Sequence, residues 1–402
     1  MVNGWVERPI IEVLKPNGIK IGPFGSQLKK EMLLSDGVYR VYGQENVYAR
    51  DFNIGDRYLT REHFNRLNSC EILPGDFVMS TMGTIGKCAI VPTTIQRGIM
   101  DSHLIRLRFD EKKVRSDYIL QLFSDQFHYL SDQTSRLAVG GIMDGLSVGI
   151  VSRLNVIYPE SIEEQGKIIK TLSEVDKLIS DQQKLIRKKK DIRQGAMQML
   201  VTGKKRLPGY YADFEHFTIG ELGSLAKMSI NPCQEPKTIF DEYSMPAFDD
   251  GAKPQQMLGE LMLSSRIKLT PNTLLFNKLN VRQRRVWLVK DCSNNSVCSS
   301  EFLPYKSEKI DLSFLKQLLL TDKVTKDFED MSSGTSNSQQ RITPSDFLKY
   351  EISIPSLEEQ RKIALILFDM DTEIQRLEEK LSKYQKVKQG MMEELLTGKV
   401  RL

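Results

Sequence analysis

The sequence predicts a mixed α/β (α+β) protein in which two globules alternate with two long helices. The octet LVTGKKRL at 200–207 returns as LLTGKVRL at 395–402. At an offset of 195 residues, the segments 161–207 and 356–402 are identical at 19 of 47 positions without a gap. Segments of similar length precede the two copies. Self-similarity at a fixed offset indicates an internal duplication, so each half should contain one globule followed by one helix.

The two globules are predicted at residues 1–160 and 208–355. Both contain a turn that is followed by an apolar strand, a polar loop and a second strand, at 73–92 and 269–289. Each also contains a short amphipathic helix, in the sequences DYILQLFSDQF and LSFLKQLLLTD. The strands NVIYP and EISIP lead into the duplicated segments. This mixture of short strands and helices predicts a mixed α/β globule in each half.

The duplicated segments, 161–207 and 356–402, are predicted to be long helices. Their apolar residues recur in steps of four and three, which is the spacing of a coiled-coil seam. Ser161 and Ser356 are each followed three residues later by glutamate, as in a helix capping box. We expect the two helices to pair antiparallel, which would give the molecule a pseudo-twofold axis. The alternative is that each helix packs only on its own globule. The seam residues are Ile168, Leu172, Val175, Ile179, Ile186, Ile363, Leu367, Met370, Ile374, Leu377 and Leu381.

The composition predicts a cytoplasmic protein without a membrane span. The chain has 402 residues, a formal net charge of +5 and five scattered cysteines. Cysteines without a CxxC pair fit a reducing compartment better than a disulfide framework. There is no run of about 18 apolar residues, and the first residues lack the apolar run of a signal peptide. The net charge permits a nucleic-acid partner without requiring one.

Motifs for catalysis are incomplete. GTIGK at 83–87 lacks the spacing and the Ser or Thr of a phosphate-binding P-loop. NPCQ at 231–234 has Cys and Gln where an adenine methyltransferase motif needs Pro and an aromatic residue. The four histidines do not have metal-ligand spacing. We therefore predict that this chain has no catalytic residue, no metal site and no bound cofactor.

The duplicated phrases resemble those of a known family. A strand that ends in proline leads into SIEEQGKI or SLEEQRKI, and QGAMQMLVTGKKRL or QGMMEELLTGKVRL closes the helix. Together with KIGPFGSQLKK at 20–30 and GTIGK, these phrases make the whole chain similar to the specificity subunit of a type I DNA restriction–modification system. The second globule contains MSINPCQEPKTIF and lacks the GPFGSQL pattern. It resembles a different recognition subclass.

The resemblance implies a non-catalytic DNA-binding subunit. Each globule would be a target-recognition domain that reads one half of a bipartite asymmetric site in double-stranded DNA, and the paired helices would set the unread spacer. The implied partners are two methyltransferase (modification) subunits and the restriction/translocase subunits. S-adenosylmethionine, ATP and Mg would be bound by those partners. Two alternatives stay open: a coiled-coil scaffold whose globules bind protein instead of DNA, and an enzyme that carries its own methyltransferase.

Candidate DNA-binding residues lie in polar loops of both globules. Base reading needs forked or amide side chains, and phosphate binding needs cations and backbone amides. Any one of these residues can instead be an ordinary solvated side chain. In the first globule the candidates are Ser26, Gln27, Lys29, Lys30, Arg40, Gln44, Asn46, Thr84 and Lys87. In the second globule they are Lys278, Asn280, Arg282, Gln283, Arg284, Arg285, Asn337, Gln339 and Arg341.

A basic run, Arg187-Lys188-Lys189-Lys190, distinguishes the first helix from the second. Segment 161–207 carries 12 Lys/Arg and 6 Asp/Glu, whereas segment 356–402 carries 9 of each. One hypothesis is that the run neutralises DNA phosphates over the spacer or faces an acidic surface of a partner. The other interpretation is a solvated helix face.

Overall fold

The chain folds into two units that each take part of both long helices. A computed structural model describes residues 4–137, 145–334 and 339–402. Unit 1 consists of Met1–Gln183 and Glu379–Leu402, and unit 2 consists of Lys184–Glu378. Each unit is therefore one globule combined with the first part of one long helix and the last part of the other. The mixed α/β architecture with two long helices is the one that the sequence predicts, and this prediction is confirmed.

The described part of unit 1 contains two four-stranded sheets and a two-stranded ribbon. Its strands are β1 (Trp5–Pro9), β2 (Leu14–Ile21), β3 (Tyr39–Tyr42), β4 (Tyr58–Leu59), β5 (Glu71–Ile72), β6 (Phe77–Ser80), β7 (Cys88–Ile90), β8 (Gly98–Met100), β9 (Leu104–Phe109) and β10 (Asn155–Pro159). The sheets have the orders β2-β9-β6-β7 and β4-β3-β8-β5. In the ribbon, β1 pairs antiparallel with β10. The first strand is thereby tied to the strand that leads into the long helix.

The helices of the first half include one that is much longer than the rest. They are α1 (Gln44–Ala49), α2 (Arg61–Arg66), α3 (Ser116–Leu122), α4 (Tyr129–Leu137), α5 (Val148–Val151) and α6 (Ile162–Val201). The helix α6 has 40 residues and continues through Gly195. A glycine inside a helix costs up to about 1 kcal/mol relative to alanine, so tertiary packing must support α6 here.

The described part of unit 2 repeats this plan with a five-stranded sheet, a four-stranded sheet and a ribbon. Its strands are β11 (Glu215–Thr218), β12 (Ser224–Leu225), β13 (Ser229–Ile230), β14 (Ile239–Tyr243), β15 (Gln255–Leu258), β16 (Arg266–Lys268), β17 (Thr273–Asn277), β18 (Val286–Val289), β19 (Ser296–Ser299), β20 (Phe302–Lys306) and β21 (Glu351–Ile354). The sheet orders are β13-β16-β19-β14-β15 and β12-β20-β17-β18, and β11 pairs with β21. The helices are α7 (Ile219–Leu222), α8 (Met245–Asp249), α9 (Leu312–Leu319), α10 (Asp322–Met331), α11 (Pro344–Lys349) and α12 (Leu357–Leu395).

Both units build their cores from sheet, short helices and long helices together. In unit 1, Ile168 and Leu172 of α6 and Leu396, just beyond α12, are fully buried in one cluster with residues of β6, β9 and α3. In unit 2, Val201 and Leu367 join the cluster around β17, β20 and α9. Full burial of one such side chain contributes about 1.5–3 kcal/mol, so this packing holds each helix part on its globule.

The predicted seam residues differ in how deeply they are buried. Those near the helix starts pack into the globule cores, and of those further along Ile186 and Ile374 are buried whereas the rest are partly accessible. The buried members are Ile168, Leu172, Ile186, Ile363, Leu367 and Ile374. The half-buried members are Val175, Ile179, Met370, Leu377 and Leu381.

Candidate nucleic-acid and subunit interfaces

An ion pair joins the end of each long helix to the beginning of the other. In unit 1 the guanidinium of Arg401 donates two hydrogen bonds to the carboxylate of Glu164, at 2.9 and 2.7 Å. In unit 2 Arg206 donates two hydrogen bonds to Glu359, at 3.0 and 2.7 Å. The glutamate side chains are 7% and 1% exposed. Hydrogen bonding from Arg401 holds the pKa of Glu164 below its usual range. We call these two contacts the arginine clamps, and they explain why the octet occurs twice.

The capping-box expectation is correct for the serine at each helix start. The N–H of Glu164 donates to the hydroxyl of Ser161 at 3.3 Å, and Glu359 does the same to Ser356 at 3.4 Å. The glutamate carboxylates bind the arginines of the clamps. The sequence analysis missed this second role, although the identity of both octets at their arginine was a signal for it.

Glycine ends both long helices because the backbone there is left-handed. Gly203 has φ 71° and Gly398 has φ 73°. A Cβ atom at position 398 would lie 2.8 Å from a ring carbon of Trp5, and one at position 203 would lie 3.0 Å from the ring of Phe214. The phrase TGK therefore needs glycine both for its conformation and for close contact with an aromatic ring.

A buried glutamine anchors the start of each long helix. The side chain of Gln165 accepts a hydrogen bond from the N–H of Arg115 (2.8 Å) and donates one to the carbonyl of Pro159 (2.8 Å). Gln360 makes the same pair of contacts in unit 2, accepting from the N–H of Asp311 (2.9 Å) and donating to the carbonyl of the strand-ending proline (2.8 Å). The phrase EEQ thus supplies one clamp residue and one anchor in each copy.

Further ion pairs show that the helix parts run antiparallel within each unit. In unit 1 the ammonium of Lys388 lies 2.6 Å from a carboxylate oxygen of Asp176. In unit 2 the equivalent pair joins Arg193 to Asp371 at 2.8 Å. Low residue numbers of one helix thus face high numbers of the other, as in the clamps. The predicted antiparallel pairing is present in each unit, and the pseudo-twofold axis stays a prediction.

The basic run of α6 is partly neutralised inside unit 2. Lys189 pairs with Glu373 and Lys190 with Glu378, both at 2.7 Å. Arg187 and Lys188 are exposed. Half of the run therefore faces α12. Lys189 is half-buried there, whereas Lys190 is paired but exposed, and the role of the run stays a prediction.

In unit 1, two of the predicted segments meet at the hydroxyl of Tyr48. This hydroxyl donates to the side chain of Gln44 at 2.6 Å and accepts from the N–H of Thr84 at 3.1 Å. The GTIGK loop is thereby held against α1, with Thr84 exposed and Gln44 half-buried. Lys87, at the end of this loop, pairs with Asp125. Tyr48 organises this surface, and the sequence analysis did not single it out.

The loop that follows β2 presents most of the other candidates of unit 1. Ser26, Gln27, Lys29 and Lys30 are all exposed. The loop is closed by a hydrogen bond from the N–H of Gln27 to the carbonyl of Phe24 at 2.7 Å. The ring of Phe24 is also exposed, between two glycines. An exposed aromatic ring can stack on a base or wedge into a base step, so Phe24 is a candidate that the sequence analysis missed.

Arg40 and Asn46 are structural residues. Arg40 is 7% exposed and donates to backbone carbonyls of the loop 53–55. Asn46 is 1% exposed; it accepts from the N–H of Gly43 at 2.9 Å and donates to two carbonyls in the loop 51–54. A buried side chain that is engaged by its own backbone is not available to a base edge. The assignment of these two residues to DNA binding is corrected for this reason.

In unit 2 the two predicted loops form one surface. The N–H of Asn280 donates to the carbonyl of Gln340 at 2.8 Å, and the N–H of Ile342 donates to the carbonyl of Lys278 at 3.1 Å. The loop between β17 and β18 therefore lies along the segment that precedes α11. Gln283 and Gln339 are exposed on these loops, and Asn337 lies outside the described residues.

The arginines of this surface are held by carboxylates of unit 2. The pairs are Arg282–Glu329 (3.4 Å), Arg284–Asp322 (2.7 Å), Arg285–Asp249 (2.7 Å) and Arg341–Glu301 (3.2 Å). Hydrogen bonding from Arg285 lowers the pKa of Asp249. Surface ion pairs contribute about 0–1 kcal/mol, so a phosphate or base can replace the carboxylate at little cost. The pairs meanwhile hold each guanidinium in place.

The described residues do not form a metal site or a membrane span. Within residues 4–137, 145–334 and 339–402, no group of three or more His, Cys, Asp or Glu side chains could hold a metal ion. No helix in the same residues has an apolar stretch that could cross a bilayer. The five cysteines are free thiols, and burial raises the pKa of Cys298 to about 12.

Comparison with known proteins gives the family. Residues 19–189 and 286–388, which include all of loop 22–30 of unit 1 and all of β18 but not loop 278–285 of unit 2, match the family described as the type I restriction modification DNA specificity domain. The chain belongs to this family. The specificity subunit of the type I restriction enzyme MjaVIII from Methanocaldococcus jannaschii is 24% identical over 335 residues, which cover 76% of this chain and 75% of that protein. DNA sequence specificity, the predicted function, is confirmed, as is a non-catalytic specificity subunit. The protein-binding scaffold is not favoured.

Solved structures of type I restriction–modification proteins share the fold over nearly the whole chain. The S subunit from M. genitalium is 13% identical with a TM-score of 0.54, and covers 97% of this chain and 96% of its own. The HsdS subunit from Thermoanaerobacter tengcongensis is 15% identical with a TM-score of 0.52, and covers 100% and 98%. A chain from a study of complex assembly in the type I R-M system is 14% identical with a TM-score of 0.60, and covers 99% of both. As a type I specificity family member, this chain works with DNA and with other restriction–modification subunits.

Proposed function

We propose that each unit reads one half of a bipartite asymmetric site in double-stranded DNA. The observation that carries this proposal is that each unit has one exposed polar surface made of loops between strands and helices. In unit 1 this surface consists of loop 22–30 with Gln44 and Thr84. In unit 2 it consists of loops 278–285 and 339–342. The two surfaces differ in sequence, whereas the helical segments next to them are still identical at 19 of 47 positions, and two different surfaces are what an asymmetric target requires.

Amide and guanidinium side chains are the proposed base readers, because they form paired hydrogen bonds with adenine and guanine. In unit 1 the base readers are Gln27 and Gln44, and Lys29 and Lys30 bind phosphates with help from the hydroxyls of Ser26 and Thr84. Lys87 would bind a phosphate only after its ion pair with Asp125 is broken. In unit 2 the residues proposed to contact DNA bases and phosphates are Lys278, Asn280, Arg282, Gln283, Arg284, Arg285, Gln339 and Arg341.

The long helices are proposed to set the spacer and to dock the partner subunits. Two methyltransferase subunits would bind, one for each copy of the clamped helix pair. An exposed apolar stripe supports docking in unit 2, where Leu185, Ile192 and Met199 recur every seven residues. Restriction/translocase subunits complete the assembly in this proposal. S-adenosylmethionine, ATP and Mg are assigned to these partners and the complex to the cytoplasm.

The test is the genome-wide adenine methylation pattern of the host, measured with and without this gene. We expect one bipartite motif to lose methylation when the gene is removed, while all other methylated motifs stay unchanged. Restoring the gene should restore that motif. An unchanged pattern, in a strain whose partner methyltransferase is shown to be expressed and active, would contradict the proposal.

A further inference from the structure

A groove in unit 2 is lined by α9, α12 and the end of β18. It has a volume of about 480 Å³. An adjoining depression of about 290 Å³ shares part of its wall, including Leu288 and Lys290. We call this feature the α9–α12 groove. The residues that carry the following argument are Leu288, Lys290, Lys316, Arg361, Leu365 and Phe368.

Three cations of the α9–α12 groove lack a carboxylate partner. Among the described residues, no Asp or Glu oxygen lies within 4.0 Å of the charged nitrogens of Lys290, Lys316 or Arg361. Burial lowers the pKa of Lys316; Asp371 raises it, and Arg193 and Lys290 lower it further. The groove therefore presents three cations, of which Lys316 is partly desolvated and Lys290 and Arg361 are exposed, and an incoming carboxylate would offset their charge.

The two carboxylates that line the 480 Å³ groove make hydrogen bonds elsewhere, and a third, Glu308, lines the adjoining depression. Asp311 accepts a hydrogen bond from the N–H of Phe314 at 2.9 Å and so caps α9. Asp371 accepts two hydrogen bonds from Arg193, at 2.8 and 2.9 Å. Asp371 partly offsets the charge of Lys316, but neither carboxylate forms an ion pair with Lys290 or Arg361.

The floor of the groove is apolar and open. Leu365 is 58% exposed and Phe368, one helical turn later, is 59% exposed. The ammonium of Lys290 lies 5.6 Å from the centre of the Phe368 ring. Two large neighbouring apolar side chains at this exposure offer contact area for another apolar group, and covering them would gain free energy from lost water contact.

The helix residues at the same position in unit 1 are different. With the offset of 195 residues, Arg361, Leu365 and Phe368 correspond to Gly166, Lys170 and Ser173. The clamps and glutamine anchors are present in both copies, whereas these three positions differ. The α9–α12 groove is thus a property of one copy.

The groove lies away from the candidate DNA loops of unit 2. Loop 278–285 connects the end of β17 to the start of β18, whereas Lys290 follows the other end of β18. Val286 and Lys290 are four residues apart, which is about 13 Å along a strand. A duplex on the loops would leave the groove accessible to something else.

We propose that the α9–α12 groove binds an acidic segment of one partner protein. The segment would place a large apolar side chain against Leu365 and Phe368, and carboxylates against Lys290, Lys316 and Arg361. A protein fits better than DNA because the floor is apolar and the groove is at the far end of the hairpin from the DNA loops. The assignment to a subunit of the same restriction–modification system rests on the proposed function. Because the residues of this groove differ between the two duplicated segments, partner proteins on the two segments would be held differently.

The first experiment measures binding of a fluorescent peptide by anisotropy. The peptide is helical, rich in glutamate, and carries leucine and phenylalanine three residues apart; its control has lysine in place of every glutamate. The variant Leu365→Lys/Phe368→Ser gives the full chain the residues that unit 1 has, so folding should be kept. We expect the acidic peptide to bind the original chain at least about tenfold more tightly than this variant, and the basic peptide not to bind.

A second variant, Lys290→Glu/Arg361→Glu, changes only exposed charges and should weaken the acidic peptide by a similar factor. The matched control is Lys170→Ala/Ser173→Ala in unit 1, which should bind like the original chain. Equal binding of the acidic peptide to the original chain and to both groove variants would overturn the proposal. Displacement of that peptide by duplex DNA would overturn it in favour of a DNA site.

The second experiment tests the partner by native mass spectrometry of the complex co-expressed with its modification and restriction subunits. We expect Leu365→Lys/Phe368→Ser to lose one partner molecule while the complex keeps its duplex DNA binding. An unchanged composition would overturn the assignment of the groove to a subunit of this system. If the complex with the original chain did not bind DNA sequence-specifically, the proposed function would be contradicted instead. The two failures are therefore distinguishable.

Discussion

The negative charge of Glu164 joins the start of α6 to the segment that follows α12 in unit 1. The pKa of this carboxylate is lowered by the hydrogen bonds from Arg401. Because the pKa in the folded state is below the unfolded value, the unfolded state takes up a proton first as the pH falls. The stability that this pair contributes is therefore present at neutral pH and is lost as the pH falls below the ordinary value of 4.5.

Replacing Glu164 by Gln should lower the stability of the protein at neutral pH and reduce the part of its acid sensitivity that comes from this pair. The measurement is the urea midpoint of unfolding from neutral pH to about pH 3. Glu163→Gln is the matched control, because Glu163 is exposed and pairs only with its helix neighbour Lys167 among the described contacts. If both variants showed the pH dependence of the original chain, the clamp would not be electrostatic.

Replacing Gln360 by Ala should destabilise unit 2 by about 1–3 kcal/mol, since it leaves a backbone N–H and a carbonyl without their buried partners. The two backbone groups that would lose the side chain of Gln360 are the N–H of Asp311 and the carbonyl of Pro355. The free energy of unfolding from denaturant titration checks this. Gln389→Ala is the control, because Gln389 is an exposed residue of α12 and should change little. Equal effects of the two changes would remove the anchor role.

At the scale of elements, the last part of each duplicated segment contains one glycine that the structure needs and one that it does not. Gly398 has positive φ and contacts Trp5, whereas a Cβ at Gly390 would meet nothing within 4 Å. Gly398→Ala should therefore cost at least about 1–2 kcal/mol. Gly390→Ala, in the exposed helix interior, should instead stabilise by about 0.5–1 kcal/mol.

Thermal unfolding of these two variants shows directly whether each substitution lowers or raises the midpoint temperature. Gly203→Ala and Gly195→Ala form the matched pair in the first copy, with φ 71° and an exposed helical position respectively. The prediction is contradicted if both members of a pair shift the midpoint in the same direction.

At the scale of the whole molecule, the two polar surfaces should control different halves of one DNA site. Gln27→Ala/Lys29→Ala should relax the base preference in one half-site, and Gln283→Ala/Gln339→Ala should relax it in the other. The expected loss is about 1–3 kcal/mol for a base pair whose paired contact is removed. Methylation of a randomised duplex library by the assembled complex measures both halves at once. Relaxation of the same half by both variants would contradict two independent readers.

The duplication, the helix starts and ends and the seam were all visible in the linear chain. Periodicity, caps such as Ser161 and glycines such as Gly398 are local signals, because a helix forms from contacts between residues three or four apart. The short strands before the helices were visible for the same reason. Loop residues were less predictable, since Arg40 and Gln27 look equally suitable in the sequence and differ in what surrounds them.

By itself, the sequence determined that two α/β globules alternate with two duplicated helical segments, and its phrases identified the family. The tertiary structure decided how those phrases are used. Glu164 and Arg401 are 237 residues apart, as no local pattern could reveal. It also decided that Arg40 is buried and that Leu365 and Phe368 are exposed beside unpaired cations. The physical reason is that burial and ion pairing depend on which distant segments meet, whereas periodicity and capping depend only on neighbours along the chain.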